Sequence, residues 1–296
     1  MSAARPTAGT PSIFPYAKWE PLVRHLALQY RAATPFPHLQ LAPFLEPEVA
    51  QVMAADFPEA QSAEWIRYKH GNENKLGLNQ RALFPPSIRA VVDELNSPPF
   101  VAWLSELTGM PNLIADPSLD GGGLHQVQRG GFLNVHTDFS VHHYRSNWQR
   151  RVNLILYLTP NWRDEWGGAL EFWDPRMKER ASQYFPRLNH AVIFNTDSQS
   201  LHGFPDAIRC PENVSRRSLA LYYYTSSPET RPLVRATTYR ARPQDGWLQS
   251  ALIRLDTWAV NFYSKAKRHF HFSDRVASRL LELASHSTSR SRRKPS

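Results

Sequence analysis

Residues 124–225 form a series of short runs of aromatic and β-branched residues, each separated from the next by Gly, Pro, Asn or Asp. Such runs occur at 152–158, 169–172, 191–194 and 218–224. Closely spaced short strands with turn residues between them are typical of an antiparallel sandwich or barrel. This pattern therefore predicts an antiparallel β-core in the second half of the chain.

The segments on both sides of this β-core have helical patterns. Helices are predicted before it over 16–30, 46–54, 87–94 and 99–108, from apolar spacing and from prolines that begin helices. One strand is predicted at 38–41, and the polar stretch 65–84 predicts a mobile loop or a hairpin. Helical patterns return at 247–262 and 274–283, so the predicted fold class is α+β.

We expect one main domain with extensions at both ends. Its predicted parts are a flexible arm over 1–15, a helical support region with N-terminal strands over 16–118, the β-core over 119–228, a helical C-terminal extension over 229–285 and a basic disordered tail over 286–296. In the C-terminal extension a stripe at near-helical spacing predicts core or a docking surface; its members are Trp247, Ala251, Leu255, Trp258 and Phe262.

Composition restricts the location and partners of the chain. Cys210 is the single cysteine, so an intrachain disulfide is excluded and a reducing, cytoplasmic location is indicated. The apolar stretches are too short for a membrane span, and residues 1–10 lack the apolar segment of a secretory signal. Part of the formal net charge of +9 lies in the tail rather than along a groove, so nucleic acid is not the expected partner.

A pair of metal-binding residue types lies at the end of one predicted strand. His136 and Asp138 are two positions apart, so their side chains leave the same face of that strand. His202 follows several predicted strands later, where an antiparallel core can return it to the same place. Two histidines and one carboxylate form the facial triad of non-haem Fe(II) oxygenases. These residues therefore predict an iron centre, with Arg217 near it as a possible carboxylate clamp.

The β-core resembles a known family of enzymes. VNLILYLTPNW at 152–162 and GGALEF at 167–172 are similar to the central strands of the cytoplasmic hypoxia-sensing prolyl hydroxylases. With the triad and the distal arginine in the same order, residues 124–225 resemble the oxygenases dependent on Fe(II) and 2-oxoglutarate, in their prolyl-4-hydroxylase-like branch. The resemblance covers about a third of the chain and implies a double-stranded β-helix, or jelly roll.

The resemblance assigns roles to individual residues. His136, Asp138 and His202 match the iron ligands that form the catalytic centre. Arg217 matches the arginine, and Tyr157 the tyrosine, that bind the distal carboxylate of 2-oxoglutarate. The neighbouring Arg216 is the alternative to Arg217, but strand alternation directs it to the opposite face, so Arg217 is preferred.

The same counting places further residues near the site. Tyr223 has the parity of Arg217 and is expected to form part of the wall, whereas Gln126 and Gln128 share a face that points into the pocket. His142 and His143 follow the motif directly, and we expect them in a loop at the mouth of the site, with contact to the substrate as an alternative.

The implied reaction is hydroxylation of an unactivated C–H bond by O2, while 2-oxoglutarate is converted to succinate and CO2. The implied cofactors are Fe(II) and 2-oxoglutarate, with ascorbate as a stimulant. The carboxylate of Asp138 favours hydroxylation, because related halogenases have a small residue in its place. Kinship with prolyl hydroxylases points to a prolyl or another peptidyl or small-molecule substrate, and the sequence leaves the choice and the oligomeric state open.

Two other functions are compatible with the residues. A nucleic-acid dealkylating oxygenase would carry a second arginine six residues after the first, and this chain has Tyr223 there. A non-catalytic metal-binding β-barrel would need no carboxylate clamp, so Arg217 together with Tyr157 argues against it.

Overall fold

The computed structural model describes residues 13–62, 64–226 and 233–270, with the backbone alone over 259–270. The helices before the β-core are α1 (Tyr16–Trp19), α2 (Val23–Ala32), α3 (Pro47–Ala55), α4 (Pro86–Leu95) and α5 (Pro98–Thr108), and α6 (Trp247–Phe270) follows it. Prolines occupy the first turn of α3, α4 and α5, where the missing N–H costs no hydrogen bond. The predicted helices over 46–54, 87–94 and 99–108 are confirmed within two residues at each end.

The strands of the described residues form one antiparallel sheet. They are β1 (His38–Leu41), β2 (Ile66–His70), β3 (Glu73–Leu78), β4 (Ile114–Ala115), β5 (Gly123–Val127), β6 (Phe132–Thr137), β7 (Trp148–Tyr157), β8 (Leu170–Trp173), β9 (Arg180–Tyr184), β10 (Ala191–Asn195), β11 (His202–Phe204), β12 (Arg216–Ser226) and β13 (Thr238–Tyr239). Their main order is β1-β10-β7-β12-β5-β3-β6-β11-β8-β9. The predicted jelly-roll core is confirmed.

The N-terminal helices cover one face of this sheet. Alternate residues of β12, such as Leu219, Leu221 and Tyr223, are buried in the same apolar cluster as residues of α2, α4 and α5. The predicted helical layer behind the β-core is thereby confirmed. The other face of the central strands looks into the interior of the barrel, where Tyr157, Phe172 and Phe194 pack together.

The folded part of the chain begins earlier than the sequence predicts. Phe14 has no exposed surface, and its ring packs edge-on against Phe100 with the centroids 4.9 Å apart. The boundary predicted at residue 15 is therefore wrong for residues 13–15, because an apolar side chain within the expected arm belongs to the core. Residues 1–12 lie outside the described part.

The C-terminal extension contains α6, and between residues 247 and 258 this helix buries two positions, Ile253 and Thr257. Ile253 is 2% exposed, whereas Trp247 and Trp258 are 78% and 69% exposed. The described members of the predicted stripe are therefore exposed and not part of the core; they are Trp247, Ala251, Leu255 and Trp258. The side chain of Phe262 lies outside the described part, and the role of the stripe as a docking surface stays a prediction. The predicted helix over 274–283 and the basic tail lie outside the described residues. Among the helices that are described, none is long and apolar enough to cross a membrane.

Candidate metal centre and cosubstrate pocket

Two neighbouring strands bring the predicted metal ligands together. β6 and β11 pair antiparallel with His136 directly opposite His202, and the imidazole centroids are 4.4 Å apart. Asp138 follows the end of β6, and its two carboxylate oxygens lie 3.5 Å from the Nε2 atoms of the two histidines. One ligand atom from each residue lies within 4.8 Å of the others. This set of two nitrogens and one oxygen fits a single divalent iron ion.

The backbone beside His202 allows the close approach of β6 and β11. Gly203 faces the backbone of β6, and a Cβ atom there would lie 2.8 Å from the carbonyl oxygen of Leu133. Real Cβ atoms do not come this close, so the position requires glycine. A larger residue would push β11 away from β6 and separate the two histidines.

The orientation of both histidines suits metal binding. Nδ1 of His136 lies 2.9 Å from the carbonyl oxygen of Asn134, and Nδ1 of His202 lies 2.9 Å from that of Ser200. A carbonyl oxygen only accepts, so each Nδ1 carries the proton and each Nε2 keeps its lone pair for a metal. Burial lowers the pKa of His202 to about 4, although Asp138 opposes the shift, so this ring is neutral at neutral pH.

Asp138 is ionised and held in place by β7. Burial raises the pKa of its carboxyl, but Arg150 and the two histidines outweigh burial and bring the pKa well below the usual range. Nδ2 of Asn153 donates to Oδ2 of Asp138 at 2.7 Å, and Arg150 lies 3.3 Å from the same oxygen. Nε of Arg150 donates in turn to Oδ1 of Asn153 at 2.9 Å. Neither Asn153 nor Arg150 is predicted as a site residue from the sequence.

We expect Asn153→Ala to weaken metal binding by about 10- to 100-fold, because the variant removes the donor that orients Asp138. Titration calorimetry with Mn(II) measures this change. Asn147→Ala is the matched control, since Asn147 is exposed and its side chain bonds to Ser226, away from Asp138. Equal metal affinity in the two variants would show that Asn153 does not orient the ligand.

The candidate metal ligands face an interior cavity of about 200 Å³. Arg216 reaches into it from the start of β12 and is 4% exposed. Its Nε donates to the carbonyl oxygen of Gly168 at 2.8 Å, and its Nη2 donates to the hydroxyl of Tyr157 at 3.1 Å. Among the described residues no carboxylate lies within 4 Å of this guanidinium. A buried cation with free donors and no anion suits a carboxylate ligand such as 2-oxoglutarate.

The predicted position of Arg217 in this pocket is wrong. Its side chain leaves the opposite face of β12, where Nη1 donates to the carbonyl oxygen of Ala54 at 3.3 Å and the guanidinium lies over the ring of Phe57. Arg217 therefore belongs to the interface with α3. Alternation along the strand is as expected, but the cavity lies on the side of Arg216.

The same inversion affects the other residues placed by parity. Tyr222, not Tyr223, lines the cavity, and the hydroxyl of Tyr223 instead donates to a backbone carbonyl at the end of α4. His125 lines the cavity, whereas Gln126 bonds to Ser215 on the outer face. Gln128 is exposed. The sequence of β12 contains a feature that distinguishes its two faces. Leu219 and Leu221, on the face of Arg217, require apolar neighbours. Ser218 and Ala220, on the face of Arg216, are small and leave room for a ligand.

The two histidines after the motif have different surroundings. His143 lines the cavity and lies 2.6 Å from the carboxylate of Asp120. His142 has a fully buried side chain, with Nε2 3.3 Å from Asp116, and it packs on Trp148. His142 thus lies in the expected loop, but its ring packs inside the loop and does not face the cavity, so the alternative of substrate contact is wrong for His142.

A hairpin supplies the cavity wall opposite β7 and β12. β2 and β3 form this hairpin within the stretch predicted as a loop or hairpin, and Tyr68, His70, Glu73 and Lys75 line the cavity from it. His70 has a carboxylate on each ring nitrogen, Asp256 at 2.7 Å and Glu73 at 2.8 Å. Burial lowers the pKa of His70, but these two carboxylates outweigh burial and raise it to about 9.

The free energy of unfolding should depend on pH through His70. Its pKa rises on folding from 6.5 to about 9, so its contribution is complete below pH 6.5 and is lost as the pH rises through about 9. We expect the free energy of unfolding of wild type to exceed that of His70→Gln by about 3 kcal/mol at pH 6 and by much less at pH 10. Urea unfolding of both proteins across this range measures the difference. A gap that stays constant to pH 10 would show that His70 does not titrate in this way.

The fold and the site together define a class of protein, an oxygenase domain with a His-Asp-His centre in a jelly roll. Residues 122–224 match the model of the 2OG-Fe(II) oxygenase superfamily. This part of the chain is therefore similar to that superfamily, as the resemblance in its β-core predicts, and Fe(II) and 2-oxoglutarate are the cofactors of that family. Stimulation by ascorbate stays a prediction.

Two known proteins are similar to the chain over a longer stretch. Mouse (Mus musculus) prolyl 3-hydroxylase OGFOD1 is 27% identical over 239 residues, which cover 76% of this chain and 40% of the mouse protein. The chain thus matches less than half the length of that relative. A prolyl hydroxylase from Trichoplax adhaerens, solved with a peptide of the hypoxia-inducible factor oxygen degradation domain, shares the fold with a TM-score of 0.51. Its identity is 16%, over 70% of this chain and 91% of that chain.

Proposed function

We propose that this protein is an Fe(II)- and 2-oxoglutarate-dependent hydroxylase that acts on a prolyl group, in a peptide or in a small molecule. The observation that carries the proposal is the pairing of two features in one cavity. A ligand set for iron lies on β6 and β11, and Arg216, buried and without a carboxylate partner among the described residues, lies on β12.

Each feature has a separate task in this function. We infer that His136, Asp138 and His202 hold iron through Nε2, a carboxylate oxygen and Nε2. Arg216 and Tyr157 would bind the distal carboxylate of 2-oxoglutarate, with the hydroxyl of Tyr157 already oriented by Arg216. When bound, iron and 2-oxoglutarate supply the oxidation of a C–H bond by O2. The chain contributes binding, orientation and exclusion of water.

The neighbourhood of Asp138 supports hydroxylation. Its carboxylate oxygens occupy the space beside both histidines, and Asn153 and Arg150 keep them there. A halide therefore has no space at this position, so a hydroxyl is the group expected in the product.

The prolyl substrate is inferred from the relatives. The mouse relative is named a prolyl 3-hydroxylase, and the Trichoplax protein is a prolyl hydroxylase that was solved with a peptide. The described part of the cavity wall carries aromatic and cationic groups, which suit a ring next to peptide carbonyls; these groups are Tyr68, Lys75, Arg150, Tyr222 and Tyr239.

The nucleic-acid alternative gains no support from the corrected arginine. The position six residues after Arg216 is Tyr222, so the second arginine of the dealkylating enzymes is missing in this assignment as well. The non-catalytic alternative leaves the isolated cation of Arg216 unexplained, because a structural metal needs no clamp for a carboxylate.

The test is release of succinate from 2-oxoglutarate by purified protein with Fe(II), O2 and ascorbate. We expect slow release without substrate, and faster release with proline or proline-containing peptides that gain one oxygen in mass. No succinate above the metal-free control would contradict the oxygenase proposal. Fast succinate release with oxygen gained only by compounds other than proline would contradict the prolyl substrate and leave the reaction class intact.

A further inference from the structure

β2 is the edge strand of the cavity wall and is attached weakly to the sheet. Among the described strands it pairs with β3 alone, over five residue pairs from Ile66 to His70. Its first end is fixed by Trp65, whose ring stacks on Phe57. Its other end leads into the turn of the hairpin, which bonds to β6 through Asn72 and Asn134. The β2 side of this turn, next to His70, has no strand partner other than β3 among the described residues, so a further contact there would help to keep Tyr68 and His70 in the wall.

Asp256 on α6 provides that contact. Its carboxylate accepts from the backbone N–H of Gly71 at 3.2 Å and from Nδ2 of Asn72 at 2.6 Å, and it lies 2.7 Å from Nδ1 of His70. One carboxylate thus contacts three consecutive residues of the turn. Its side chain is 17% exposed, so water competes weakly for these bonds.

The turn is connected to the metal centre as well. Asn72 is fully buried, and its Oδ1 accepts from Nδ2 of Asn134 at 3.0 Å, while the backbone N–H of Asn134 donates to its carbonyl oxygen at 2.9 Å. Asn134 precedes His136 by two residues, and its carbonyl oxygen accepts a hydrogen bond from Nδ1 of His136. Displacing the turn would therefore open the wall of the cavity beside one ligand strand.

The cavity side of the hairpin depends on the same contacts. His70 joins Asp256 to Glu73, and Glu73 lies 2.9 Å from the ammonium of Lys75. Lys75 points into the cavity with 17% of its side chain exposed. The position of this cation is therefore set by a chain of contacts that begins on α6.

We propose that Asp256 is a positioning residue through which the C-terminal helix holds the β2–β3 hairpin closed as a wall of the active-site cavity. This inference rests on the proposed function where it concerns catalysis, since the closed wall would determine which substrates enter the cavity. The anchoring itself is a property of the protein without any ligand.

Hydrogen–deuterium exchange of the full chain tests the anchoring. In Asp256→Ala we expect the amides of residues 66–78 to exchange about tenfold faster or more, because bonds to a charged acceptor are lost. Asp256→Asn should give a smaller increase, since it keeps one acceptor oxygen. Arg254→Ala is the control, because Arg254 is exposed on the same helix. Amides of β7 and β12 should not change in any variant.

Chemical labelling of Lys75 gives a second measurement. The labelling rate of Lys75 should not change if Asp256 only stabilises the protein at another place. An amine-reactive reagent should label Lys75 faster in Asp256→Ala than in wild type, whereas the exposed Lys69 should label equally in both. Unchanged exchange of the hairpin, or acceleration spread equally over β7 and β12, would overturn the proposal.

A third measurement separates this inference from the proposed function. Affinity of wild type for 2-oxoglutarate in the presence of Mn(II) tests the proposed function without reference to Asp256, because Arg216 lies on β12 and not on the hairpin. Absence of 2-oxoglutarate binding in wild type would contradict the proposed function, while the exchange experiment would still decide whether Asp256 anchors the hairpin.

Discussion

Arg216→Ala should reduce the affinity for 2-oxoglutarate by about 100-fold or more, whereas Arg217→Ala should leave it within about threefold. Arg216 is buried in the cavity without a carboxylate partner among the described residues, so its removal leaves the incoming carboxylate buried and unpaired, at a cost of about 2–5 kcal/mol. Arg217 points away from the cavity to the end of α3. Titration calorimetry with Mn(II) and 2-oxoglutarate measures both variants.

Arg216→Lys refines the same experiment. Lysine keeps the charge but lacks the planar guanidinium, which bonds to Gly168 and Tyr157 and has a further donor for a carboxylate ligand. We expect an affinity between those of wild type and Arg216→Ala. If Arg217→Ala lost more affinity than Arg216→Ala, the cosubstrate pocket would have to lie on the outer face of β12, contrary to the orientation of both side chains.

His136→Ala should abolish metal binding and with it all succinate formation. The variant leaves two ligands of three, and we expect Mn(II) affinity to fall by more than about 100-fold, beyond the effect typical of residues that only support a ligand. His202→Ala should behave in the same way, because the two imidazoles face each other across β6 and β11. Calorimetric titration and a succinate assay on the same preparations measure both effects.

His25→Ala is the matched control for the loss of an imidazole. His25 is exposed on α2 and bonds to Gln29 on the same helix, so its removal should leave metal affinity unchanged. Turnover that survived in His136→Ala at the wild-type rate would mean that the iron ligands are wrongly assigned.

The sequence predicted the parts of the site that depend on local spacing. His136 and Asp138 share a face because they are two residues apart on one strand, and their residue types restrict the metal. His202 was found because order and resemblance agree. The jelly-roll core followed from the alternation of short strands and turns, and the structure confirms it.

The choice between Arg216 and Arg217 failed for a physical reason. Alternation determines which residues of a strand share a face, but not which face looks into the cavity. Both faces of β12 are buried here, one by helices and one by the barrel interior, so exposure gives no contrast between them. The two faces of β12 differ instead in side-chain size, because large apolar residues share the face of Arg217 and small residues share the face of Arg216.

The sequence does not predict contacts between segments that are far apart in the chain. Asn153 and Arg150 lie on β7, and their bonds to Asp138 depend on how β7 crosses the barrel. Asp256 meets His70 across 186 residues of chain, and no spacing rule links a helix near one end to a hairpin near the other.

β11 is only three residues long and provides one of the proposed iron ligands. It is held by β6 on one side and β8 on the other, with a register irregularity immediately after His202. Coordination across β6 and β11 would act as a cross-link between these two strands, and it would stabilise the folded state in proportion to the logarithm of free metal. Iron supply would then influence the lifetime of the protein as well as its activity, because chains without metal would open more readily at this short pairing and become accessible to proteases there.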